Sequence, residues 1–121
     1  MNTLFVAILS VAISVAAQFS LKAGMSSAGV KDALAQPFGL QTVLAVLFDK
    51  FVVGGFVLYG VGAVVWLAVL SKWDVSKAYP LVGLGFVMTV GVGYLLGEQV
   101  SASRVLGVML ICAGVFVMGR A

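Results

Sequence analysis

Four stretches of this chain are long and apolar enough to cross a lipid bilayer, and little sequence is left over between them. A spanning helix needs about 20 mostly apolar residues at about 1.5 Å rise each. The stretches cover residues 3–23, 51–70, 78–96 and 102–119. Hydrophobic residues make up 63% of the chain and charged residues 9%. A soluble domain runs near roughly 45–50% apolar and about 25% charged, and 121 residues enclose too small a core to hide the difference. Lipid is therefore the solvent, and residues 1–121 read as one transmembrane domain. The connections at 72–77 and 97–103 are short, so the helices they join run antiparallel. The expected architecture is an all-α membrane protein, a four-helix bundle that runs up-down-up-down.

The remaining connection, from Gly24 to Lys50, is longer. Met25-Ser26-Ser27-Ala28-Gly29 is turn-like, and Lys31 with Asp32 is solvated. Residues 38–48 are apolar but too short to span, and they read as an interfacial helix. Val15-Ala16-Ala17 has the small residues of a signal-peptide cleavage site. No Lys or Arg precedes it, so a retained first helix is expected.

The basic residues are scattered, which suits interfacial anchors and not a nucleic-acid surface. In the bundle, Lys72, Lys77 and Arg120 fall on one side, and Lys22, Lys31, Lys50 and Arg104 on the other. Three against four sets no orientation by positive charge. Two explanations stand: a residue near the interface such as Lys22 is miscounted, or copies insert in both orientations and pair antiparallel.

Polar groups inside a span are costly unless paired, which makes each a candidate for function. In the first span Ser10, Ser14, Gln18 and Lys22 recur at four-residue spacing and read as one helix face. The stripe either lines a polar cavity with Lys22 at its mouth or forms a helix–helix seam of serine and glutamine hydrogen bonds. Tyr59 and Trp66 interrupt an otherwise apolar second span, and Tyr79-Pro80 opens the third, where a proline in the first turn is tolerated. Thr89, Gly93 and Gly97 form a small-residue stripe for packing or hinging, and Glu98 closes the helix either as a solvated acid or as an ion-pair partner.

The mid-spans hold no Asp or Glu, so nothing there would exchange a proton for a cationic drug. The chain has no histidine and a single cysteine, Cys112, read as packing. This leaves no metal-ligand cluster, no disulfide and no nucleophile–base arrangement; neither a catalytic site nor a cofactor is expected. A cation beside neutral hydrogen-bonding groups suits an anionic or sugar-bearing substrate.

The four spans and the run Gly107-Val108-Met109-Leu110-Ile111-Cys112-Ala113-Gly114-Val115 resemble the small multidrug resistance type of transporter, within the drug/metabolite transporter superfamily. Several further features are similar to its lipid-sugar branch, the aminoarabinose-phosphoundecaprenol flippase subunits. They are Ser14-Val15-Ala16-Ala17-Gln18 with Lys22, Trp66-Leu67, Ala78-Tyr79-Pro80 with Phe86-Val87, and Glu98 before Val100-Ser101. Drug exporters of the wider family carry a glutamate at the position of Ser14 and an aromatic residue at that of Val82. The resemblance implies a polyprenyl-phosphate-linked sugar as substrate and a bacterial inner-membrane location. It also implies a homodimer or a heterodimer with a second small subunit. Ser14, Gln18, Lys22, Trp66, Tyr79 and Glu98 are the expected substrate-binding residues. Pro80, Thr89, Gly93, Gly97, Gly107 and Gly114 are the expected packing or hinge residues. The rival functions are a small exporter of amphipathic cations and a non-transporting scaffold subunit of a glycolipid enzyme.

Overall fold

A computed structural model describes residues 2–120. The helices in chain order are α1 (Thr3–Met25), α2 (Ala28–Ala35), α3 (Leu40–Leu47), α4 (Lys50–Leu70), α5 (Val75–Ala78), α6 (Leu84–Leu95) and α7 (Ala102–Arg120). A 3₁₀ segment, Tyr79–Gly83, joins α5 to α6, so these three form one path. Four helical runs are long and apolar enough to span a membrane: Thr3–Met25, Lys50–Leu70, Val75–Leu95 and Ala102–Arg120. The chain is a multi-pass, all-α membrane protein.

The tightest packing is between α1 and α4. Along α1, Ala7, Ser10, Ser14, Ala17, Leu21 and Gly24 follow a three-then-four spacing; along α4, so do Val52, Gly55, Tyr59, Gly62, Trp66 and Val69. This is the period of 3.5 residues that keeps one seam facing a partner helix. Small residues on both sides bring the backbones together. A Cβ at Gly55 would lie 2.6 Å from Leu21 Cδ2, and one at Gly62 would lie 3.3 Å from Ser14 Oγ. Ser10, 2% exposed, donates from Oγ to the Gly62 carbonyl at 2.7 Å, and Ser20 Oγ donates to the Phe51 carbonyl at 2.7 Å. At one end of the pair Ala7 and Val69 pack with Ala78, and Trp66 and Trp73 cover them. Among the described residues no buried side-chain nitrogen or oxygen lacks a hydrogen-bond partner, which is the condition for polar groups to persist inside spans.

The third spanning path is not a uniform helix. It begins at Val75, so Pro80 lies inside it and not in the expected first turn. Proline has no N–H to give to the carbonyl four residues back, and its ring crowds that carbonyl. The chain answers by tightening to 3₁₀ over Tyr79–Gly83 and resumes the α-helix at Leu84. At its far end α6 stops at Gly97, whose φ is +91°. The Glu98 N–H bonds the Gly93 carbonyl at 2.9 Å and the Gly97 N–H bonds the Tyr94 carbonyl at 3.1 Å. These two bonds make the left-handed glycine cap of a Schellman motif. Gly97 therefore ends the helix and is no part of a packing stripe. The contact of α6 with α1 is made instead by Gly85, where a Cβ would lie 3.1 Å from Val11 Cγ1.

α7 packs mainly on α6 and the 3₁₀ segment and buries none of its residues. A Cβ at Gly83 would lie 2.9 Å from Ile111 Cγ2, whereas one at Gly107 or Gly114 would meet open space. The two α7 glycines expected to pack thus leave room for a side chain within this subunit. In the long connection, α3 occupies residues 40–47 and a second short helix, α2, precedes it. The Ser27 hydroxyl accepts from the Val30 N–H at the start of α2, a preferred role for serine.

The close α1–α4 approach generates a stability prediction. At Gly24 an added Cβ would lie 2.8 Å from the Val52 backbone nitrogen, which cannot give way as a side chain does. Gly24→Ala should cost about 1–3 kcal/mol through overpacking. Gly60→Ala, where a Cβ meets open space, should stay within about 0.5 kcal/mol. Unfolding titrations with SDS in mixed micelles measure both.

Candidate functional site

A cavity of about 580 Å³ opens beside the α1–α4 seam, between these helices, the 3₁₀ segment and α6. That size is within the range of small-molecule sites. Its polar lining is Ser10, Ser14 and Gln18 from α1, Tyr59 and Trp66 from α4, and Tyr79 and Thr89 from the third path. Phe86 adds an aromatic face, and no charged residue lines it. α7 contributes nothing to this wall.

The seam builds the cavity through its alternation on α4. Gly55 and Gly62 seat α1, while Tyr59 and Trp66, each four residues further on, are too large to fit between the backbones. They project past the seam's edge. Tyr59 is tied there, because Gln18 Nε2 donates to its hydroxyl oxygen at 2.5 Å across the two helices. Trp66 is half-buried and also packs on the Ala7–Val69–Ala78 cluster, which holds its indole in place. Tyr79 is carried by the 3₁₀ segment and is 65% exposed in a single subunit.

The polar stripe of α1 does not keep to one face. Residues four apart advance about 40° around a helix of 3.6 residues per turn, so three such steps turn through about 120°. Ser10 therefore lies in the seam, and Ser14 turns back to donate to the Ser10 carbonyl at 3.1 Å. Gln18 stands at the seam's open edge, and Lys22 is exposed outside the cavity lining. Lys22 is the basic residue of the last α1 turn, where the carbonyl end of the helix dipole favours a cation.

Of the six expected binding residues the structure brings together Ser14, Gln18, Trp66 and Tyr79 on one cavity. Lys22 and Glu98 do not line it. Glu98 is exposed beyond the Gly97 cap and folds back over α6, so that a Cβ at Gly93 would lie 2.7 Å from Glu98 Oε1. Of the packing residues, Thr89 lines the cavity and donates to the Gly85 carbonyl of its own helix at 2.7 Å. Pro80 and Gly114 lie on a separate groove between the 3₁₀ segment and α7. Tyr59 and Phe86 are cavity residues that were not among those expected, while Ser10, part of the stripe read as cavity or seam, belongs to both. The signal for Tyr59 was in the sequence, since it shares the three-then-four register of Gly55 and Gly62. No group of three or more His, Cys, Asp or Glu that would hold a metal occurs among the described residues.

No family model and no solved structure matches the chain. Curated relatives do. The chain is 43% identical over 79 residues to a protein of Pseudomonas savastanoi pv. phaseolicola named probable 4-amino-4-deoxy-L-arabinose-phosphoundecaprenol flippase subunit ArnE, a match covering 64% of this chain and 69% of the relative. Proteins of the same name from Pseudomonas syringae pv. syringae and Erwinia tasmaniensis are 44% and 42% identical. Those matches cover 50% and 54% of this chain, and 57% and 62% of the relatives, less than two thirds of their length. With four apolar spans, three of which line a neutral aromatic cavity, and this likeness across most of one relative, the chain belongs to the ArnE family of aminoarabinose-phosphoundecaprenol flippase subunits.

Proposed function

We propose that this chain is one subunit of a flippase that moves a polyprenyl-phosphate-linked sugar across a bacterial inner membrane. The observation that carries this reading is the cavity, whose polar lining is hydroxyl, amide and indole with no charge. A sugar ring offers hydroxyls for hydrogen bonds and an apolar face for aromatic stacking. Ser14, Gln18, Tyr59 and Tyr79 supply the first kind of contact, and Trp66 and Phe86 the second. The phosphate remains outside with Lys22, one helical turn or about 6 Å beyond Gln18, and the polyprenyl tail stays in lipid. The Gln18–Tyr59 bond is the internal contact that a substrate hydroxyl replaces on entry.

A second small subunit, of this or another sequence, closes the cavity. Tyr79 and Phe86 are 65% and 56% exposed on its open side, and α7 does not line the cavity. The absence of a carboxylate from the lining speaks against proton-coupled export of cations.

The test uses proteoliposomes holding the chain, alone and with a candidate second subunit, and a fluorescent polyprenyl-phosphate sugar quenched from outside. Movement of the lipid between leaflets is the expected result. Absence of movement in both preparations, together with uptake of a quaternary cation, would replace this reading with the exporter.

Two substitutions sharpen it. Lys22→Met should abolish transport while membrane insertion and helix content stay unchanged by circular dichroism, and unimpaired transport would remove Lys22 from the mechanism. Gln18→Leu should slow transport at least about ten-fold, equivalent to about 1.4 kcal/mol, while leaving Lys22-dependent binding of the unglycosylated polyprenyl phosphate in place.

A further inference from the structure

Residues 26–48 leave the bundle after α1 and return to it at α4, and their base is pinned. Asp49 Oδ1 accepts from the N–H groups of Phe51 and Val52 at 2.9 and 3.2 Å, capping α4. Its Oδ2 lies 3.1 Å from the Ser27 hydroxyl, which is also 2.7 Å from the Gly24 carbonyl and can donate its one proton to either. The excursion is therefore a hairpin of α2 and α3 held at a fixed point, the end of the bundle that also carries Lys22.

The hairpin is packed inside out for water. In α3 the buried residue is Thr42, at 5% exposure, while Leu40, Leu44 and Leu47 point outward on one face with Gln41 at its edge. Phe38 and Phe48 flank that face at 84% and 76% exposure. No charged residue occurs from Ala33 to Phe48, and the hairpin's own charges, Lys31 and Asp32, sit on α2. A helix apolar on its outer face needs an apolar neighbour. Eight residues reach about 12 Å, too short to cross a hydrocarbon core of about 30 Å, so α3 cannot be a further span. The lipid around the bundle is the apolar phase this face already adjoins, because Phe48 leads directly into α4 and its exposed Phe51.

We propose that the α2–α3 hairpin is a membrane-surface foot. α3 lies in the boundary between head groups and acyl chains of the leaflet at the Lys22 end. Its Leu40–Leu44–Leu47 face is turned into lipid, and Lys31 and Asp32 of α2 stay in water. This position holds the depth of the α1 and α4 ends, and with it the depth of Lys22.

The full chain with Cys112→Ala, carrying one nitroxide label at a time on Phe38→Cys, Leu44→Cys or Asp32→Cys, tests this. It is reconstituted in vesicles of phosphatidylethanolamine and phosphatidylglycerol, and the collision rates of each label with oxygen and with a nickel chelate give its depth. Labels at 38 and 44 are expected about 5–10 Å below the phosphates, and the label at 32 in water. Leu40→Cys replaces Leu44→Cys if the latter fails to insert. Aqueous depth at both 38 and 44 overturns the proposal. So does a label at 44 shielded from oxygen and nickel alike, which would mean that a protein surface covers this face.

Discussion

The close approach of α1 and α4 is the constraint on which the rest of the molecule depends. In lipid, two apolar helices gain nothing by leaving hydrocarbon for each other, so association rests on dense van der Waals contact and hydrogen bonds between helices. Both require backbones close together. Ala7, Ser10, Ala17 and Gly24 on one helix and Gly55 and Gly62 on the other permit this, and the Ser10 hydroxyl adds a buried bond to the Gly62 carbonyl. Interhelical hydrogen bonds in membranes average near 0.6 kcal/mol, so Ser10 serves register more than strength. The steric fit carries the larger share.

That seam also determines where a cavity can exist. A uniform row of small residues would close α1 onto α4 along its whole length. Tyr59 and Trp66 prevent this at the two positions where they fall in the register, and α6 comes against α1 at Gly85. The space left between is the cavity. Pro80 adds the third wall, because the 3₁₀ segment it induces carries Tyr79 to the cavity while Gly83 faces Ile111 of α7. One broken helix therefore presents different side chains to the cavity and to α7 within five residues.

The spans and the all-α class were legible because length and apolarity are one-dimensional properties. Ser14 and Gln18 were legible as polar groups in a span that need a polar or packed neighbour, whereas Trp66 and Tyr79 joined them through the family resemblance. The arrangement of the α1 stripe was not, since a four-residue repeat looks like one face until its drift of about 40° per step is accumulated. Lys22 and Ser10 end on different sides for that reason alone. Gly97 looked like packing because its spacing from Gly93 matched; only the backbone, with φ +91°, distinguishes a cap from a contact. The start of the third path at Val75 was hidden by Pro80, which reads as a beginning when the helix before it is a single turn. α2 was missed because Ser26, Ser27 and Gly29 before Lys31 and Asp32 read as a turn and solvated loop, although Ser27 marked its start.

The placement of charge follows from the cost of burying it. A lysine at the centre of a spanning helix costs about 2.5–3.5 kcal/mol on insertion scales and more in an isolated helix. At the last turn of α1 the same side chain reaches water and gains from the helix dipole. Under the proposed function a substrate phosphate faces the same penalty. It therefore meets its first countercharge, Lys22, at the edge of the bilayer before the head group moves deeper. A cavity lined with hydroxyls and aromatic rings can let go of such a ring on either side, because no ion pair has to be broken in a low-dielectric interior. A carboxylate in place of Ser14 would bind a cationic group more tightly and would need a proton to release it. The neutrality of the lining and the edge position of Lys22 are thus two parts of one solution to moving a charged lipid past hydrocarbon.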